Sequence, residues 1–121
     1  MTLENEKRFL LLLGSYAKGA NVTKAEVLDT IDDRGWAVFT DKDLAVKHNR
    51  NELVWRNDFA FVRKHLVEEG YYQSGIRNDW SITESGKAEL RRLCGEVLSE
   101  AGFSYVSPAA KEEAQKVLLA L

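Results

Sequence analysis

Eight side chains between positions 47 and 78 have the chemistry to hold a polyanion: Lys47, Arg50, Arg56, Asn57, Arg63, Lys64, Arg77 and Asn78. Arginine pairs bidentately with guanine, asparagine with adenine, and lysine meets phosphate as a point charge. Spacing matters as much as type. On a helical wheel with Trp55 at the origin, Trp55, Phe59, Val62 and Leu66 fall within about 40° of one line. Asn57 and Lys64 then lie near the opposite side, and Arg56 and Arg63 on one flank. With the apolar stripe buried, a nitrogen-bearing ridge is expected to face outward, as a helix must to enter a major groove. Arg77 and Asn78 are expected at the tip of a turn, from which an arginine reaches phosphates or the minor groove. Lys47 and Arg50 precede the helix and can hold backbone phosphates. The same letters also suit solvated surfaces. Phe61, on the other flank with His65, is expected to add a core contact.

Catalytic chemistry finds little to work with. His48 and His65 are far apart and lack the neighbours of a metal site. Cys94 sits beside Leu93 in an apolar helical stripe and reads as packing. Ser15-Tyr16-Ala17-Lys18 forms a Ser-x-x-Lys string with no companion motif, and there is no phosphate-cradling glycine-rich loop. No catalytic residue, metal ligand or cofactor is therefore expected.

The elements that must position the eight residues follow from periodicity and punctuation. A first helix is predicted over 4–18, with Phe9, Leu10, Leu12, Leu13 and Tyr16 on one side and Gly19 at its end. Thr23 and Glu26 form a capping box for a second helix, which Gly35 stops. A short apolar run at 36–39 is predicted as a strand that adds to a later sheet. Thr40 and Asp41 are expected to cap a short helix through Leu44 and Val46, and 47–52 is read as a polar connection. The central helix runs to Gly70. Tyr71 and Tyr72, turn residues at 74–79, and the alternation of Trp80, Ser81 and Ile82 then predict a tight ribbon. Thr83 caps a long helix carrying Leu90, Leu93, Val97, Leu98 and Ala101, closed by Gly102. Ser107-Pro108 opens a last helix over 108–121, with Ala110, Ala114, Val117, Leu118 and Leu121 as its stripe. Trp36, Trp55 and Trp80 read as core anchors. The order helix, ribbon, helix is the plan of a winged helix-turn-helix. The class expected is mainly α with a small β-ribbon, one winged-helix domain over 1–121 with its core at 4–101 and a C-terminal helix at 108–121.

Bulk composition permits this. The chain has 121 residues, 45% hydrophobic and 30% charged, with one cysteine. That is enough for one core without disulfide staples. No apolar run approaches the roughly 20 residues of a membrane span or forms a secretory signal, so a cytoplasmic location is expected. The net charge of −2 is unevenly spread. Residues 46–92 hold nine basic against seven acidic side chains, whereas the flanking segments are acidic. A local basic face governs phosphate binding more than the total does, and a small excess predicts modest, salt-sensitive affinity.

Residues 55–86 resemble the N-terminal domain of Mrr-type restriction proteins. The matching positions are Trp55, Asn57, Phe59, Arg63, Leu66, Gly70, Tyr71 and Tyr72, then Trp80, Ile82, Thr83 and Gly86. Asp58 stands where the family has arginine, Phe61 where it has tryptophan and Val62 where it has alanine, and the wing is longer. The resemblance implies a DNA-targeting winged-helix module of a restriction or defence system, often joined to a nuclease domain or subunit. The Glu-x-Lys or Gln-x-Lys of the family's nuclease domain does not occur in this chain.

The expected function is non-catalytic binding of double-stranded DNA through the eight residues named. The alternatives are a small dimeric transcription regulator using the same surface and a winged helix used for protein–protein interaction through Phe61 and the last helix. A homodimer through the terminal helices is expected.

Overall fold

The computed structural model describes residues 1–47 and 51–121. Among these residues are five helices: α1 (Leu3–Lys18), α2 (Lys24–Asp33), α3 (Val54–Glu68), α4 (Glu84–Ser99) and α5 (Pro108–Ala120). A two-stranded antiparallel ribbon joins β1 (Val46–Lys47) to β2 (Glu52–Leu53). The class is mainly helical with a small sheet, a winged helix followed by C-terminal helices.

α1 is the hub. Phe9, Leu10, Leu11, Leu12 and Leu13 are all fully buried, so this stretch is covered on every side rather than along one stripe. It packs against α2, α3 and α4. Tyr72 anchors the wing to it: the phenol donates to the Leu11 carbonyl (2.8 Å) and lies 2.5 Å from the Ser15 hydroxyl. Trp36, Trp55 and Trp80 are buried, as is the stripe Trp55, Phe59, Val62 and Leu66.

The helix ends follow local chemistry. Thr23 and Glu26 form the reciprocal capping box at α2. Gly70 takes a positive φ of 81°, its N–H bonds to the Val67 carbonyl (3.0 Å) and the Tyr71 N–H to that of Leu66 (2.9 Å). That pair of bonds is a Schellman closure of α3. Gly35 closes α2 the same way, with bonds from Gly35 to Asp32 and from Trp36 to Ile31. Thr83 and Ser107 cap α4 and α5. α4 stops at Ser99, short of Gly102, and Ala101 lies exposed in the connection rather than in the stripe.

Three expected elements are formed differently. The regular ribbon pairs 46–47 with 52–53, ahead of α3, where a polar connection over 47–52 was expected. The wing itself holds one antiparallel bridge, Tyr72 to Ile82, supported by the Gln73 N–H on the Ser81 carbonyl (2.9 Å). Its returning arm turns to the connection before α2 instead: the Trp80 N–H donates to the Val22 carbonyl (2.8 Å). The run at 36–39 does not join the wing. Ala37 bridges Val106, and the Val38 N–H donates to the Tyr105 carbonyl (2.7 Å). The expected short helix at 40–46 is a single turn stapled by Thr40 and Asp43. It cannot continue, because the Asp43 and Ala45 carbonyls accept from the first N–H groups of α3, those of Trp55 and Val54.

Candidate nucleic-acid interface

The ridge expected on α3 is largely engaged inside the protein. Asn57, placed outward by the wheel, is only 6% exposed. The wheel assumes one covered side, but α3 also packs against β1 and β2. Arg56 forms an ion pair with Asp29 of α2 (2.6 Å) and stacks over Trp55, 4.9 Å from its ring centre. Arg63 reaches the wing: it donates to the Asp79 carbonyl (3.0 Å) and its guanidinium lies over Trp80 at 5.5 Å. Its Nε is buried without a hydrogen-bond partner among the described residues. Lys64 is exposed and has no ion pair among the described residues.

The wing residues divide likewise. Arg77 is exposed, with no ion pair among the described residues. Asn78 is exposed, but its Oδ1 accepts the Lys24 N–H at the start of α2 (3.1 Å). Its φ of 58° is one that asparagine tolerates better than most residues. Lys47 is half-buried on β1 with no ion pair among the described residues. Arg50 and His48 lie outside the described residues. Cations outside the expected set also have carboxylate partners, among them Lys24 with Glu52 (2.9 Å) and Lys87 with Glu84 (3.1 Å).

The structure therefore brings α3 and the wing into one body through Arg63, and leaves Lys64 and Arg77 as its exposed cations. Two residues matter more than the sequence reading allowed. Phe61, expected in the core, is 58% exposed. Ile76, in the middle of the wing turn, is 67% exposed. The only sequence signal for Ile76 was a large apolar residue among turn formers. A hollow of about 600 Å³ lies on one side of the wing, lined by Tyr16, Asn21, Gln73, Ile76, Asp79 and Lys87 among others. A smaller one of about 220 Å³, lined by Val22, Thr23, Ile76, Arg77 and Asn78, adjoins it and shares Asn21, Ile76 and Asp79 with it.

Among the described residues no group of histidine, cysteine or acidic side chains could hold a metal ion. Cys94 is fully buried, and burial pushes its thiol up to about 12. His65 meets Glu4 (3.1 Å). No described helix is long and apolar enough to cross a membrane.

The family model for the Mrr N-terminal domain matches residues 6–92, from α1 into the middle of α4. No curated protein and no solved structure matches the chain.

Proposed function

This chain belongs to the Mrr N-terminal domain family, a restriction-system related domain, and on that footing we propose that it is a non-catalytic reader of double-stranded DNA. A nuclease domain or subunit would do the cutting. The observation that carries the reading is the Arg63 bridge between α3 and the wing, which presents the exposed Lys64 and Arg77 on two elements held together. Helix and wing are the parts of a winged helix that meet a duplex, and cations with no internal partner are the ones able to displace counterions from phosphate. Lys47 would add a backbone contact ahead of α3. Arg56 is held by Asp29, a partly exposed pair of the kind worth about 0–1 kcal/mol, which a phosphate can displace.

The test is a salt series of duplex binding. Affinity should fall linearly on a log–log plot, by about 0.9 per phosphate contacted. Lys64→Ala and Arg77→Ala should each reduce that slope by about 1. Absence of binding to mixed-sequence duplex at low salt overturns the reading.

A second reading, a protein-interaction module, is favoured by the exposed Phe61. It predicts a partner lost in Phe61→Ala with little response to salt. α5 packs against α4, and Ala110, Ala114 and Val117 of its apolar stripe are buried, so a dimer through α5 would draw on the half-buried Leu118 and Leu121 and on Leu119, 88% exposed.

A further inference from the structure

The wing turn carries Ile76, which is 67% exposed. A stiff, β-branched apolar side chain stands at the turn of the wing, mostly in solvent, beside the exposed Arg77. The turn that carries it is tightly built. Gly75 and Asn78 flank it with positive φ values of 88° and 58°, and the Asp79 N–H closes it on the Ile76 carbonyl (3.3 Å). Three bonds fasten it to the connection that starts α2: Lys24 N–H to Asn78 Oδ1 (3.1 Å), Trp80 N–H to the Val22 carbonyl (2.8 Å) and Val22 N–H to the Ser81 hydroxyl (3.3 Å). Arg63 holds the same arm from α3. Ile76 lines both hollows, which also share Asn21 and Asp79 and so lie where the wing meets the connection before α2.

We propose that the wing tip is a minor-groove wedge for double-stranded DNA, with Ile76 entering a flexible base step and Arg77 lying along the adjoining groove. This rests on the duplex-binding reading above and adds how the wing engages. A wedge has to be apolar to replace stacking contacts, stiff so that it does not fold away, and fastened behind so that insertion bends the duplex rather than the protein. An arginine beside it meets the negative potential of an A·T-rich minor groove. Pyrimidine–purine steps unstack most easily, so a TA step in A·T-rich surroundings is the expected site.

The experiment uses the whole chain with duplexes carrying 2-aminopurine beside a central TA step, a matched duplex with a G·C-rich centre, and end labels that report bending. The protein should raise 2-aminopurine fluorescence, bend the TA duplex and prefer it over the G·C-rich one by roughly tenfold. Ile76→Ala should keep the wild-type melting temperature and salt slope, yet lose the fluorescence rise, the bend and most of the preference. Arg77→Ala should lower the slope. Duplex binding with no fluorescence rise and no bend by the wild-type protein overturns the wedge and leaves duplex reading intact. So does an Ile76→Ala protein that bends DNA as wild type does. No duplex binding at all removes both together.

Discussion

Gly86 shows what a single residue decides. The start of α4 is laid against the end of α3: the Thr83 N–H donates to the Tyr71 carbonyl (3.0 Å) and the Thr83 hydroxyl to that of Gly70 (2.7 Å). A Cβ on Gly86 would collide with the Tyr71 carbonyl oxygen and with Ile82. Gly86→Ala is expected to destabilise by about 3 kcal/mol, because backbone cannot yield as a side chain can. Gly14→Ala meets chiefly the Val27 side chain at 3.0 Å, so about 1 kcal/mol is expected. Urea midpoints with unchanged m-values would check both. Cys94 gives a pH prediction. Its folded-state thiol titrates near 12, above the unfolded value. The neutral thiol's contribution is therefore fully present below about pH 9 and lost as pH rises towards 12. Burial raises Tyr72 and Tyr105 too, Tyr105 further through Asp43 and Asp58, which adds to the same alkaline loss. Native protein should resist a thiol reagent at neutral pH and react fully once unfolded.

At the scale of elements, the wing is held by its neighbours more than by its own pairing. Arg63 is central to that hold, through the Asp79 carbonyl and the face of Trp80, whereas its spacing suggested a groove contact. Arg63→Ala should cost about 1–2 kcal/mol and speed hydrogen exchange at 73–81 more than in α1. Its effect on DNA binding separates the two roles. A direct phosphate contact would lower the salt slope, whereas a pin for the wing weakens binding at unchanged slope. The pairing of 46–47 with 52–53 was illegible in the letters because two-residue strands have no periodicity to show. Its position follows from the carbonyls of Asp43 and Ala45, which α3 claims from outside the turn.

Across the whole molecule, the C-terminal segment is integral to the fold although the family match ends at residue 92. Val97, Tyr105, Val106, Ala110 and Ala114 lie in the same buried cluster as Phe9 and Leu13. Glu6 closes this arrangement. The carboxylate is buried and accepts the N–H groups of Tyr105 (2.9 Å) and Val106 (3.0 Å). Glu6→Ala would strand both donors, so a loss of about 3 kcal/mol is expected, with new proteolytic cleavage at 100–107. Glu6→Gln keeps an acceptor and should lose less. Its partners lie 99 and 100 positions away, so spacing along the first helix carries no sign of them.

Most helix boundaries were legible from the letters alone because their causes are local, the end of α4 at Ser99 being an exception. Thr23 finds Glu26 three residues on, Gly70 accepts a left-handed turn, Ser107 stands before Pro108, and the apolar stripe of α3 repeats within its own turns. Which polar side chains remain open to a partner was decided only by the folded molecule. Asp29 comes from another helix to hold Arg56, a wing carbonyl holds Arg63, and packing around the first turns of α3 buries Asn57. A helical wheel knows the angle of a side chain about its own axis. It carries no information about the second and third surfaces that long-range packing brings against that helix.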